Sequence, residues 1–167
     1  MKKDQQRRFF LRPSGMQKKA GEHVLHCVKS VGVNEETKVH CVGDGAVWIA
    51  NQIEEQFGAN GTYLIDFCHL CDYLSAAAPS CSPNNEKIWL DKQKELLKES
   101  LWPQVLLVLQ PYLESQEVPE ENAPVRACYR YIKNRPHQLD YKDAIDIAPP
   151  HSPCLSFLSP ENIAFGK

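Results

Sequence analysis

Hydrophobic positions change rhythm three times between residues 38 and 78. Short apolar runs at 38–42 and 62–65 read as strands, and each runs into an aspartate, Asp44 and Asp66. Between them Ala46, Val47, Ile49, Ala50, Ile53 and Phe57 recur at helical spacing. After Asp66 the positions Leu70, Tyr73, Leu74 and Ala77 or Ala78 mark a second helix, which Pro79 and the Ser/Pro/Asn run behind it are expected to break. Strand, helix, strand, helix predicts a parallel pair in an α/β sheet, with both aspartates at the carboxyl ends of the strands, the edge where open α/β sheets place their chemistry.

Upstream, Ala20, Val24, Cys27, Val28 and Val31 predict a helix over 16–31, with Ser14 as N-cap and Gly32 as its stop. Downstream the pattern is wholly helical. A charged amphipathic helix is predicted over 86–100, with Ile88, Trp89, Leu96 and Leu97 inward. A further helix opens at Pro103, carries Val105, Leu106, Val108, Leu109 and Leu113, and is kinked by Pro111. An acidic linker covers 114–121, and a helix over 123–134 turns Val125, Cys128, Tyr129 and Ile132 to one side. Beyond Asp146 the period disappears and prolines crowd in, which predicts a disordered tail.

Composition changes this picture little. The 167 residues are 43% apolar and 24% charged, enough for one domain with a core. A net charge of −2 excludes a global basic field, so any nucleic-acid contact must be local. No run approaches the roughly 18–20 apolar residues that span a bilayer. The N-terminus lacks the apolar core of a signal peptide, so an intracellular, cytoplasmic location without membrane contact is expected. Seven cysteines, an odd number, favour buried free thiols over a disulfide framework. Cys68 and Cys71 form a C-x-x-C, but structural zinc needs a second ligand pair, which is missing. His23 and His26 likewise lack a third ligand and read as ordinary histidines.

The chemistry rests on the two strand-end carboxylates. Such a pair suits a hard divalent cation that keeps waters for its substrate. Two such ions about 3.5–4 Å apart activate the attacking oxygen and stabilise the leaving one in phosphodiester chemistry. His69, one turn beyond Asp66, is positioned to act on a phosphate or a proton. The competing reading is that aspartates close strands as turn formers or, for Asp66, as the N-cap of the next helix. Two basic features are candidate DNA contacts: an aromatic N-terminal arm with Arg7 and Arg8, and a stripe of Arg126, Arg130 and Lys133 at helical spacing. For both, the alternative is a merely solvated surface.

The residues Val42-Gly43-Asp44-Gly45-Ala46-Val47-Trp48-Ile49 and Leu64-Ile65-Asp66-Phe67-Cys68-His69-Leu70-Cys71-Asp72-Tyr73-Leu74 together resemble bacterial insertion-sequence transposases of the Kra group, relatives of the Mutator-like transposases. The likeness continues through residues 123–132, Asn134-Arg135 and residues 138–142, so that it spans about 33–144. The resemblance implies a ribonuclease-H-like fold with an acidic triad, and Mg²⁺ or Mn²⁺ for cleaving and joining DNA at element ends. It matches Asp44 to the second triad acid, a metal ligand, and Asp66 with His69 to a D-x-x-H signature.

Two departures set the remaining expectations. The family's first acid and its early strands have no counterpart upstream of Asp44, and Asp146-Ile147-Ala148-Pro149-Pro150 stands where a Gly-Ser-Gly-Glu segment would open the last catalytic helix. The expected layout is a basic arm and helix at 1–32, a partial ribonuclease-H-like core with late strands only at 33–80, an all-helical insertion at 81–144, and a disordered or out-of-frame tail at 145–167. The expected function is a bacterial transposase fragment, inactive alone and binding metal weakly. Alternatives are a non-catalytic fragment that binds DNA, one that pairs with itself or with an intact transposase and inhibits it, and a poorly folded product of a decayed gene.

Overall fold

A computed structural model describes residues 15–147. Arg7, Arg8, the expected cap Ser14 and the tail beyond Ile147 lie outside the described residues. Helix α1 spans Gly15–Ser30, strand β1 Val39–Gly43, α2 Val47–Phe57, β2 Gly61–Ile65 and α3 Phe67–Cys81. Then follow α4 (Glu86–Lys98), α5 (Trp102–Leu109), α6 (Pro124–Lys133) and α7 (Tyr141–Ile147), with short 3₁₀ turns between. The chain is mostly helical, with one small parallel sheet of β1 and β2, a mixed α/β arrangement. The expected strand-helix-strand-helix order is present.

The chain forms two compact units. The first holds α1 and α2. Here the inward face of α1 is turned from the one expected. Gly21 is buried and Leu25 half-buried, whereas Val24, Cys27 and Val31 are exposed. The reason is Gly21, which lacks the side chain that would collide with Gln52 of α2 and so lets the helices close at that point. Gln52 and Ile53 are the buried residues of α2, while Val47, expected inward, is 53% exposed.

The second unit comprises His40–Gly45 and the chain from Tyr63 onward. Its core runs from Ile65 and Phe67 through Leu70, Leu74 and Ala77 of α3 to Leu97, Val105, Leu109, Val125, Cys128 and Ile132, and closes on Leu139 and Tyr141. Burying each large apolar side chain contributes about 1.5–3 kcal/mol. Residues 81–144 therefore share one core with α3 and the end of β2, and the boundaries differ from the division expected at residue 80. Helix α3 runs through Pro79 to Cys81 instead of stopping near Ala78. Proline φ is compatible with a helix, a single donor is lost near the end, and buried Ala77, Ala78 and Cys81 hold the last turn to the core.

In α4 the buried line is Gln93 and Leu97, flanked by half-buried Trp89 and Leu90; Ile88, expected inward, is 70% exposed. The i, i+4 spacing from Trp89 to Leu97 carries Gln93 inward whatever its polarity, and its Nε2 donates to Trp89 O at 3.2 Å. Pro111 ends α5 rather than kinking it: the helix stops at Leu109 and Gln110–Tyr112 form a 3₁₀ turn. Helix α7 crosses the expected tail boundary at 145. It is tied to the end of α4 by Ser100 Oγ, which donates to Asp140 Oδ1 at 2.8 Å and accepts from Lys142 N at 3.0 Å.

Candidate acidic site at the strand ends

Parallel pairing sets Asp44 and Asp66 at neighbouring strand ends. The Asp66 main-chain N–H donates to Gly43 O at 2.6 Å, which carries the β1 contact one residue past β2. Asp44 is exposed in the turn between two glycines, and Asp66 is half-buried. Asp66 is also the N-cap of α3: its Oδ1 accepts from Cys68 N at 2.8 Å. The capping role that the sequence left open is therefore real, and it commits one carboxylate oxygen.

His69 lies in an aromatic nest. Its ring meets Tyr73 edge-on at 5.5 Å and Tyr131 at 5.8 Å. The two tyrosine rings stack at 4.2 Å and 17°. The Arg135 guanidinium lies 4.2 Å from the Tyr131 ring centroid, a cation–π contact. Tyr131 and Arg135 then reach the Asp44 turn itself. Tyr131 Oη donates to Asp44 O at 2.6 Å, and Arg135 Nε donates to Gly45 O at 3.0 Å. Gly45 N donates to Tyr63 Oη at 3.1 Å. At the other strand end Tyr141 Oη donates to Ile65 O at 2.9 Å. Burial pushes the Tyr131 phenol up to about 12, so it stays a donor across the neutral range.

The two glycines now have specific reasons. A Cβ at Gly43 would stand 2.5 Å from Tyr63 Oη. Gly45 has φ +80°, and a Cβ there would stand 2.6 Å from Tyr131 Oη. Sequence reasoning found Asp44, Asp66 and His69 but missed Tyr63, Tyr73, Tyr131, Arg135 and Tyr141. The available signal was the concentration of tyrosine and arginine over residues 126–135, a stretch read for packing and for a phosphate contact.

The donor set at this edge is two carboxylates, the oxygen chemistry that a hard cation takes. Two carboxylates can serve a Mg²⁺ ion that keeps most of its waters. Among the described residues, however, no group of three or more His, Cys, Asp or Glu side chains is arranged to hold a metal.

The basic stripe of α6 is engaged within the chain. Arg126 donates to the main-chain oxygens of Glu114, Ser115 and Val118, and Arg130 pairs with the Glu120 carboxylate through both terminal nitrogens. Lys133 Nζ lies 5.5 Å from the Tyr129 ring centroid. The Glu114 carboxylate caps α6, accepting from Val125 N at 3.0 Å and Arg126 N at 2.7 Å. Acidic segment and stripe together line an open groove of about 610 Å³.

The expectation of buried thiols fails for Cys27 and Cys68, which are exposed; Cys81 and Cys128 are buried. Burial raises Cys71 and Cys81 to about 11 and Cys128 to about 12. Cys68 is also raised, by burial and then by Asp66 and Asp72. These directions are opposite to those of a reactive redox thiol. Among the cysteines of the described residues, alkylation of the native protein at pH 8 is expected at Cys27 first, with Cys81 and Cys128 modified only after unfolding. Site-resolved peptide mass analysis reads this, and early labelling of Cys128 would contradict the packing of α3 on α6.

Among the described residues no helix is long and apolar enough to cross a membrane. Compared with models of protein families, with curated proteins and with solved structures, the chain matches none.

Proposed function

We propose that the second unit carries the acidic edge of a ribonuclease-H-like transposase domain, with Asp44 as a divalent-cation ligand and Asp66 and His69 beside it. The observation that supports this reading is the parallel pairing that puts Asp44 and Asp66 at adjacent carboxyl ends of β1 and β2. When bound, Mg²⁺ or Mn²⁺ would activate the attacking oxygen and stabilise the leaving oxygen during DNA strand cleavage and transfer. The chain's own residues supply the rest. Asp44 offers a carboxylate on an exposed residue, Asp66 offers the oxygen not committed to the α3 cap, and the His69 ring packs edge-on against its tyrosine neighbours. Two carboxylates make a weak site, so the chain by itself binds the cation loosely and does not cut DNA.

Two measurements test this. Tb³⁺, a hard oxygen-seeking probe, is expected to bind with a midpoint in the submillimolar to millimolar range, and Asp44→Asn is expected to weaken it by about tenfold or more. An unchanged midpoint in that variant removes Asp44 as a ligand. In the second, DNA carrying transposon ends is incubated with the protein and Mg²⁺ or Mn²⁺; strand cutting by the chain alone overturns the inactivity.

A second reading, a non-catalytic DNA-binding fragment, draws on the exposed Arg130 and Lys133 of α6. Under it, Lys133→Glu weakens salt-dependent DNA binding. Because Arg126 and Arg130 already bind the 114–120 segment, that reading requires the acidic segment to give way to phosphate.

A further inference from the structure

We propose that Tyr131 and Arg135 are positioning residues for Asp44: they clamp the main chain of the turn that carries it and so fix where its carboxylate stands. The inference rests on the acidic-edge reading above.

The turn is soft by composition. Asp44 is exposed between Gly43 and Gly45, and glycines leave the backbone more freedom than any other residue. Left to itself such a turn would spread its carboxylate over many positions, and a metal ligand must be held to a fraction of an ångström. Rigidity comes instead from residues about ninety positions away in sequence. Consecutive carbonyls, Asp44 O and Gly45 O, accept from Tyr131 Oη and Arg135 Nε at 2.6 and 3.0 Å. Tyr63 Oη accepts from the Gly45 N–H at 3.1 Å, and the Asp66 N–H donates to Gly43 O at 2.6 Å. The turn is thus held at Gly43, Asp44 and Gly45 in succession.

The clamp is itself rigid. Tyr131 is buried and stacked on Tyr73, Arg135 lies against the Tyr131 ring, and Arg135 Nη1 returns to Tyr131 O at 3.3 Å. Because Asp44 has a short side chain, any shift of its main chain moves its carboxylate by a comparable distance. Both hold the turn through its backbone carbonyls, as outer partners do when they orient a metal ligand.

Tb³⁺ titration of the full chain tests this, read as the midpoint of tyrosine-sensitised emission rather than its amplitude, since Tyr131 itself is an antenna. Tyr131→Phe removes one oxygen atom and leaves the ring stack in place. Arg135→Gln removes the Nε donor, and Arg135→Lys keeps the charge without the planar fork. Tyr131→Phe and Arg135→Gln are each expected to weaken Tb³⁺ binding by about tenfold, with Arg135→Lys restoring only part of the loss. Amide exchange should accelerate at Gly45 and stay unchanged in α4 and α5. A merely structural role predicts otherwise: Val105→Ala, a core lesion, lowers the melting temperature but leaves the midpoint and Gly45 exchange alone.

The outcomes separate cleanly. If Asp44→Asn and Asp66→Asn leave the midpoint unchanged, the acidic-edge reading falls and the positioning role falls with it. If Asp44→Asn weakens binding but Tyr131→Phe and Arg135→Gln alter neither the midpoint nor Gly45 exchange, the acidic edge stands and the clamp is overturned. Should Tyr131→Phe fail to fold, the two Arg135 variants carry the same comparison.

Discussion

Gly45→Ala is expected to destabilise the protein by about 3 kcal/mol and to abolish cation binding at the strand ends. Two costs combine. At φ +80° a side chain costs about 1–2 kcal/mol in backbone strain. The new Cβ would also stand 2.6 Å from Tyr131 Oη and 3.1 Å from Arg135 Nε, so at least one hydrogen bond to the turn must break, at about 1 kcal/mol or more. Neither neighbour can step aside easily, because each is packed against the other. Urea unfolding measures the loss as a shift in midpoint at constant slope. Gly15→Ala is the matched control: open space surrounds that position, and the change should be neutral or slightly stabilising. A loss below about 1 kcal/mol for Gly45→Ala would mean that the turn relaxes freely and is not clamped.

Tyr141→Ala should cost about 3–5 kcal/mol, the largest effect of any single truncation considered. Tyr141 is 1% exposed, meets Phe67 edge-on at 5.3 Å, and donates its hydroxyl to Ile65 O. Tyr141→Phe keeps the ring and isolates the hydroxyl; leaving a buried carbonyl unpaired should cost about 1–2 kcal/mol. The pair of variants separates packing from hydrogen bonding.

Alkaline pH supplies an independent check. Burial raises the phenol of Tyr141 above its ordinary value of 10.0. A raised phenol holds its proton more tightly in the folded state, so its contribution is complete below about pH 10 and is lost as pH rises above that value. Tyr141→Phe should therefore flatten the fall of stability above pH 10. An equally steep fall in the variant would assign the alkaline limb to other groups.

The elements were largely legible from periodicity because their apolar spacing is regular: both strands, α2, α3, α5 and α6 stand within a few residues of the expected bounds. The faces were less legible. Spacing assigns a face by hydrophobicity, so it chose Ile88 over Gln93 and Val24 over Gly21; each inward position is decided by what the neighbouring helix can accept. Pro79 was read as a breaker, yet near the end of a packed helix it removes only one donor. At the acidic edge, Asp44 and Asp66 could be found because carboxylates at strand ends carry their own signal. The clamp could not. Tyr131, Arg135 and Tyr141 act on main-chain carbonyls, and a carbonyl leaves no trace in residue type. Arg126 and Arg130 invited a phosphate partner because spacing cannot reveal that residues 114–120 curl back to meet them.

The bonds that fix the strand ends bridge 87, 90 and 76 positions of sequence. Contacts that distant are slow to form, since the intervening chain must first be brought to order. The helices of α3 to α5 can collapse around local neighbours before residue 131 has docked. The full set of bonds on the acidic turn is then a late acquisition in folding: a chain stalled or nicked ahead of α6 would keep Asp66 at the cap of α3 but hold Asp44 on a turn that lacks its two carbonyl donors, competent in composition and without aim.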